Sequence, residues 1–458
     1  MPKSLAAQVV KSLPASTPKS KKKLLQELSQ YIPSEDVKLF DADLLHEMID
    51  SHWRLAKRKD IDVPKISIYC PVTKSDKLRK TVIDVVSNDM AFLVDSLTAE
   101  INRHNLLIDL LVHPIIYTKY DGTQNLVDVS SKEKDGYTKQ SHIHIHIKDT
   151  ISDQVLKELE EGLYTAMEDV YYANRDWREM LVKLKDTRDQ LASAKTKTPS
   201  NEIQRYCDFL DYLHNNNFTL LGYREYDFVT DKKGNIKSRT LTGKSLGLLH
   251  NEVKPAYITE NKEGLPRNLQ ELRKDLPAVS ISKTNRLATV HRRVPMDAIA
   301  VKVYDKNGKV TGEKLFLGLF TSVTYSRSVS DVPLLRDKVD DVMHMSKYMP
   351  NSHDYKALRH ILEKYPRDEL FQIPKGELHD ICVDILRLQE RQRTALFMRR
   401  DPFGRYISCL IFIPRDRFGT DLRKKIGKIL EQELSGKTTS FTTSLDDSVF
   451  ARVMFVIN

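Results

Sequence analysis

The stretch SNDMAFLVDSLTAEINRHNLLIDLLVHPIIYTKY, residues 87–120, decides how this chain is read. Just ahead of it, TVIDVV (81–86) is apolar and β-branched, as a strand requires. Asn88 and Asp89 can cap a helix. Leu93, Leu97 and Ile101 then recur at fourfold spacing with Val94 beside them, an apolar helical stripe. LLIDLLVHPIIYTKY (106–120) reads as a long buried strand, Asp121-Gly122 as the turn that ends it, and NLVDV (125–129) as its returning partner. HIHIHI (142–147) alternates strictly and reads as a half-exposed strand. A long helix follows, with Val155, Leu159, Leu163, Met167 and Val170 on one face.

Strand, helix, strands, helix is the order of a small α/β sandwich of the ferredoxin-like or ACT kind, with helices on one face of an antiparallel sheet. Working outward, residues 33–184 form this first ACT-like unit, with a helical stretch at 24–31 ahead of it and another at 44–57 near its start. Residues 1–32 are expected to be a disordered basic tail, rich in Ser, Ala, Pro and Lys. The polar stretch 185–200 has the composition of a linker. Residues 201–330 read as a separate β-rich middle domain built on two hairpins. One is FTLLGYREYDF with IKSRTL around a turn at 231–235; the other is IAVKVYD with KLFLGLFTSVTY around DKNG at 305–308. Residues 331–392 switch to helices, punctuated by Pro350 and Pro366. Residues 394–458 restart the α/β pattern as a second ACT-like unit. That unit ends on the apolar strand FARVMFVIN, which implies a truncated sheet with an unpaired edge, or an edge covered by a partner. The expected fold class is α+β and multi-domain, with ACT/ferredoxin-like sandwich units flanking a β-rich domain and a helical segment.

Composition narrows the function classes. A chain of 458 residues is long enough for roughly two to four domains. Apolar runs such as 106–112 and 411–414 are strand-sized, far short of the roughly 20 residues that span a bilayer. Cys70, Cys207, Cys382 and Cys409 are scattered, so reduced thiols in a cytoplasmic protein are expected rather than disulfides or zinc. The net charge is +10, and Lys3, Lys11, Lys19, Lys21, Lys22 and Lys23 supply much of it before the first acid, Glu27. A transit peptide would favour Arg, which this segment lacks. No pattern of aromatics and Arg accompanies the charge, so no specific nucleic-acid partner is expected.

Most catalytic patterns fail on context. Gly243-Lys244-Ser245-Leu246-Gly247 has nucleophile-elbow spacing, but its flanks are polar and no buried strand precedes it. The same residues lack the earlier glycine of a phosphate loop, since Ser238 stands there, and no two glycines are spaced for a dinucleotide fingerprint. His142, His144 and His146 share one strand face about 7 Å apart, too far for three neighbours to converge on one ion with short bonds. No acid or cysteine cluster sits beside them, and no metal site is expected. His46-Glu47 lacks a second histidine. Arg405, Arg415 and Arg417 read as solvated charge, Asp354 as a helix cap, and YPRDELF (365–371) as helix packing with a proline stop. The turn at Asn88, Asp89, Met90 and Phe92 is the stronger feature. A strand running into a helix start leaves backbone N–H groups and a positive dipole end able to hold a carboxylate. Plain capping by Asn88 or Asp89 is the competing reading.

Seven long segments together carry a resemblance. SNDMAFLVDSLTAEINRHNLLIDLLVHPII, FTLLGYREYDF, TNRLATVHRRVPMDAIAVKVYD, GEKLFLGLFTS, SHDYKALRHILEKYPRDELFQ, LRLQERQR and FGRYISCLIFIPRDRF occur in that order. Together they resemble the N-terminal, ACT-domain region of the large NAD-specific glutamate dehydrogenases, from about residue 81 onward. The resemblance implies a non-catalytic regulatory and assembly region of a long cytoplasmic homo-oligomer that converts L-glutamate, NAD and water to 2-oxoglutarate, ammonia and NADH. It implies no catalytic residue and no cofactor in this chain, with NAD bound by the full-length parent enzyme. The expected partners are the remainder of that polypeptide or a catalytic chain, further copies, and an amino-acid effector at Asn88, Asp89, Met90 and Phe92. Two alternatives stand beside it: a free-standing ACT-type amino-acid sensor, and a non-functional fragment of a split gene. An independent enzyme has least support, since no acid–base pair or nucleophile arrangement stands out.

Overall fold

The computed structural model describes residues 13–32, 42–59, 64–71, 81–148, 151–230, 236–251, 276–446 and 448–458. The chain divides into two compact units: Met1–Arg175 together with Ala288–Arg293, and Asp176–Leu287 together with Val294–Asn458.

In the first unit the elements are α1 (Lys19–Ser29), α2 (Ala42–Ala56), β1 (Lys65–Tyr69), β2 (Thr81–Asn88), α3 (Leu93–Arg103), β3 (Ile108–Val112), β4 (Ile115–Tyr120), β5 (Leu126–Ser130), β6 (Thr138–Ile147) and the start of α4 (Asp153–Ala192). The strands run β1-β2-β6-β4-β5, with β3 also on β6, and every pair is antiparallel. The long strand read at 106–120 is interrupted at His113-Pro114, because proline has no N–H for the ladder. Its register on β6 is unchanged across the break, from Val112↔His144 to Ile115↔Ser141.

The expected half-exposed strand is instead buried on both faces. Ile143, Ile145 and Ile147 face one way among buried residues that include Ile83 and Val85, and the apolar stripes of α3 and α4 supply that core. His142, His144 and His146 face the other way and are equally buried. That second face is covered by α1 and α2, whose Leu24, Leu25, Leu28, Leu45, Met48 and Ile49 pack with Val86, Leu110, Val112 and Ile116. The stretch read as a disordered tail is therefore helical from Lys19 onward. Each buried leucine there is worth about 1.5–3 kcal/mol, which a charged but amphipathic segment needs in order to stay docked. Residues 1–12 of that stretch lie outside the described residues.

In the second unit, α4 continues to Ala192 through the first half of the stretch read as a linker, and contributes Met180, Leu184 and Leu191 to the core. α5 (Ser200–Tyr212) leads into β7 (Phe218–Thr230), β8 (Ile236–Gly247), β9 (Val279–Leu287), β10 (Pro295–Tyr304) and β11 (Val310–Phe320). Both expected hairpins are present in the sheet β8-β7-β11-β10-β9. The turn at 231–235 lies outside the described residues, while Asp305 closes the other turn through the amides of Asn307 and Lys309. Helices α6 (Leu335–Ser346), α7 (His353–Lys364), α8 (Arg367–Gln372) and α9 (Lys375–Glu390) follow. The last sheet is built from β12 (Ala395–Arg400), β13 (Ile407–Pro414), β14 (Thr438–Ser444) and β15 (Phe450–Ile457), with α10 (Thr420–Glu433) between β13 and β14.

Two expectations change here. The β-rich block is not a separate core: Phe316 and Phe320 belong to one apolar cluster with Leu358 and Leu362 of α7, Cys382 of α9, and Leu410 and Phe412 of β13. The final strand is no open edge either, since the order is β12-β13-β15-β14 and β15 pairs on both sides. Its sequence is apolar at most positions because a central strand covered on both faces needs no polar side. The protein is thus a multi-domain α+β fold, with three antiparallel sheets among the described residues. No helix among the described residues is long and apolar enough to cross a membrane.

Candidate functional site

The turn from β2 into α3 holds the four residues singled out in the sequence, all half-buried. Asp89 is tied back to β6. Its amide donates to the Lys139 carbonyl (3.0 Å), and its carboxylate accepts from Ser141 Oγ (2.7 Å) and pairs with Lys139 Nζ (2.7 Å). Partial burial alone would raise that carboxyl, but Lys139 and Ser141 outweigh it and hold Asp89 below its ordinary value. His113 Nε2 lies 3.0 Å from Ser141 Oγ, and burial lowers its pKa. This is no nucleophilic triad, because the serine hydroxyl gives its proton to the carboxylate rather than to the imidazole.

Asp89 turns its carboxylate to β6 and is not the N-cap of α3, which corrects the capping reading for that residue. The N-cap is Phe92, in the left-handed region at φ 71°, and its side chain makes no capping hydrogen bond. Non-glycine residues enter that region only when their surroundings hold them there. Asn174 exchanges hydrogen bonds with the Ala91 backbone at 3.2 and 3.1 Å. The Phe92 ring lies 4.9 Å from that of His291, whose amide donates to Ser96 Oγ (3.0 Å) and whose Nδ1 is 2.8 Å from Asp95.

A second constellation lies under α2 on the same sheet. Asp84 pairs in register with His144 across β2 and β6, and α2 lowers His52 onto the pair. Asp84 Oδ1 is 2.5 Å from His144 Nδ1 and 3.3 Å from His52 Nε2, while Oδ2 accepts from the Tyr69 hydroxyl at 3.0 Å. Behind these rings, His146 Nε2 is 2.8 Å from His144 Nε2, and His142 Nδ1 is 3.4 Å from His52 Nδ1. Asp84 and the four histidines are at most 1% exposed. One ligand atom from each of His52, Asp84 and His144 lies within 4.8 Å of the others.

One proton assignment satisfies the inner contacts with a single N–H per ring. His146 donates to His144 and His142 to His52, and His144 and Tyr69 donate to Asp84, while His52 Nε2 stands 3.3 Å from the same carboxylate without a hydrogen bond. An isolated carboxylate in a dry core is very expensive, and two donors with the His52 ring beside them are what make it tolerable. Burial alone would raise the Asp84 carboxyl, but His52 and His144 hold it well below the usual range. Burial lowers His142 well below an ordinary histidine and raises the Tyr69 phenol.

Sequence spacing found the three β6 histidines but missed Asp84 and His52, and the statement that no acid sits beside them is corrected. The available signal was an aspartate in the middle of the apolar run TVIDVV, where only a paired charge survives burial.

The remaining motifs land on structural roles. Ser245 lies on β8 in an antiparallel sheet and accepts from Arg224 Nε at 3.2 Å, with no elbow geometry. Arg405 is buried and doubly bonded to Asp401 (2.8 and 2.9 Å) rather than solvated, whereas Arg415 and Arg417 are exposed. Ser352, not Asp354, caps α7. In YPRDELF, Glu369 receives a buried two-point contact from Arg399 at 2.7 and 2.8 Å. A cleft of 620 Å³ in the second unit carries Arg205, Lys338 and Lys375 on its walls. Arg205 faces Asp337, Lys375 faces Asp341, and Lys338 donates to three carbonyls of α8 and its end, so the charge there is already committed.

Comparison with known proteins agrees with this architecture. Residues 24–163 match the glutamate dehydrogenase ACT1 domain, residues 332–391 its helical motif 1, and residues 395–458 its ACT2 domain. The first match begins inside α1, as the packing of that helix on the histidine face requires. An NAD-specific glutamate dehydrogenase of Halomonas elongata is 31% identical over 93% of this chain and 27% of its own length. That of Pseudomonas aeruginosa is 30% identical over 89% and 25%, and that of Mycobacterium tuberculosis 23% identical over 90% and 24%. The chain thus spans about a quarter of the length of these relatives. A solved RNA-binding Light-Oxygen-Voltage receptor aligns over 68% of this chain and 89% of its own at 8% identity, with a TM-score of 0.13 that bears no argument. With ACT1, helical and ACT2 segments in order and these relatives along nearly its whole length, the chain belongs to the NAD-specific glutamate dehydrogenase family.

Proposed function

We propose that this chain is a non-catalytic regulatory and assembly region of an NAD-dependent glutamate dehydrogenase, and that an amino-acid effector docks at the turn of Asn88, Asp89, Met90 and Phe92. The observation that carries the reading is the start of α3, where the N-cap side chain makes no capping hydrogen bond and Asp89 is anchored to β6. Amides at such a start accept a carboxylate, and the anchored Asp89 stands ready for an ammonium group. In this reading NAD is bound and the oxidation of glutamate is carried out in other parts of the parent enzyme. The partners are that polypeptide and further copies of the chain, in the cytoplasm, with neither nucleic acid nor membrane involved.

Calorimetry of the purified chain with a panel of amino acids, alongside its mass by light scattering, tests the proposal. Saturable binding that is weakened at least tenfold by Asp89→Asn in a chain with unchanged melting supports the effector reading. A folded chain that binds none of the panel removes the effector and leaves assembly as the role. Binding together with a monomeric mass favours a free-standing sensor instead.

A further inference from the structure

We infer that His52, Asp84 and His144 form a structural metal site for a divalent first-row cation, Zn²⁺ foremost, enclosed between α2 and the first sheet. Two imidazoles and a carboxylate are a donor set such an ion takes, with water completing its tetrahedron. The three residues come from a helix and two neighbouring strands, so the fold itself assembles them. The 3.3 Å separation of Asp84 Oδ1 and His52 Nε2 matches the edge of a tetrahedron with bonds of about 2.0–2.1 Å. The 2.5 Å contact of Asp84 with His144 is a hydrogen bond that must open toward the same edge when the ion enters.

What stands behind the ligands points the same way. A ligating histidine needs its second nitrogen held by an outer partner that fixes ring orientation. Here His52 Nδ1 is backed by His142, and His144 Nε2 by His146. The Tyr69 hydroxyl occupies Asp84 Oδ2 and leaves Oδ1 for the ion. The number of protons on the four rings is conserved. On loading, His52 and His144 move their single N–H to the nitrogen facing His142 and His146, and those rings shift their own proton to their other nitrogen. The cation then answers the buried carboxylate in place of the neutral His144 donor. His142 Nε2 is fully buried and has no hydrogen-bond partner among the described residues, the kind of orphan that marks a polar group arranged around something other than protein. Because every ligand is buried, the ion would be taken up as the unit folds.

The full chain, produced without a polyhistidine tag in zinc-supplemented medium, should carry close to one equivalent of zinc by plasma mass spectrometry after gel filtration. Refolding with Co²⁺ should give the intense visible bands of a tetrahedral site, and refolding with a chelator should lower the melting temperature by several degrees. His144→Gln and His52→Gln should each lose the metal, whereas His113→Gln, outside the cluster, should keep it. If the ligand variants fail to fold, the metal content and cobalt spectrum of the wild-type chain decide. A folded wild-type chain with only traces of metal and no cobalt bands overturns the site and leaves a hydrogen-bonded cluster. Metal bound equally well by His144→Gln overturns the assignment of ligands.

Discussion

The two ACT-type sheets solve the same burial problem with opposite chemistry. In the second, β13 sends Cys409, Ile411 and Ile413 toward α10, and Leu410 and Phe412 into the core shared with α7 and α9. From Cys409 to Ile413 both faces of β13 are apolar. In the first, β6 sends Ile143, Ile145 and Ile147 to one side, but the other side carries three histidines and, through β2, a carboxylate, all out of water. An apolar face is held by area and shape, whereas a polar one is held by a closed set of donors and acceptors. The first tolerates substitution in proportion to volume, and the second fails when one member goes.

The largest effects should come from breaking each face at its centre. Phe455→Ala, in the second sheet, should cost about 3–5 kcal/mol in equilibrium urea unfolding. Asp84→Ala should cost as much, though it removes far less volume, because Tyr69 and His144 then face no acceptor. Volume-conserving swaps sharpen the contrast. Leu410→Met should cost less than about 1.5 kcal/mol, while His144→Leu should rival Asp84→Ala. Equal tolerance of both swaps would mean that the histidine face is held by packing alone.

This difference also explains how far the sequence could be read. Strand–helix–strands–helix was legible because apolar periodicity reports local geometry, and the two hairpins of the middle sheet because turn chemistry does. HIHIHI was misread because alternation tells which residues share a face, not whether that face is wet. Only the docking of α1 and α2 decides it, and a lysine-rich helix advertises its charge more loudly than Leu24, Leu25 and Leu28. FARVMFVIN looked like an open edge because it comes last in the chain, but β14 precedes it in sequence and flanks it in space. Of the candidate sites, the turn at Asn88–Phe92 is contiguous and could be found. The cluster of His52, Asp84 and His144 is assembled by pairing and could not.

Two carboxylates give a smaller, pH-dependent contrast. In the second unit Asp297 lies 2.8 Å from Lys283, whose ammonium also reaches Asp368 at 3.2 Å. Burial raises the Asp297 carboxyl to about 6 against the pull of Lys283, and Asp368 adds to the rise. Its folded pKa exceeds the unfolded value of about 3.9, so the proton it holds stabilises the fold fully below that value. The contribution is lost as pH rises through about 6. Asp89 in the first unit has the opposite sign, with a contribution present above about 3.9 and lost as pH falls through its lower folded value. Acidification from neutrality to about pH 5 should therefore stabilise the second unit by no more than about 1.4 kcal/mol per pH unit, with Asp89 unaffected. Asp297→Asn should flatten that slope in urea unfolding followed by hydrogen exchange. A slope that survives the substitution assigns it to another group.

The smallest effect compares the two helix starts. At neither α3 nor α10 does the N-cap residue make a side-chain capping hydrogen bond, but their N-cap backbones differ: Phe92 is left-handed at φ 71°, and Gly419 is extended at φ −159°, ψ 166°. A capping carboxylate reaches the free amides of the first turn only from an extended N-cap. A Cβ at Gly419 meets nothing within 4 Å, so Gly419→Asp should stabilise by a few tenths of a kcal/mol, read as a small rise in melting temperature. Phe92→Asp should not, because from its backbone the carboxylate points away from the amides and the ring packed on His291 is lost. If both substitutions stabilise, the start of α3 can relax into an ordinary cap, and its left-handed residue is not held by the anchors at Asp89 and Asn174. If only Gly419→Asp does, that turn is held open by its surroundings, as an effector-binding turn has to be.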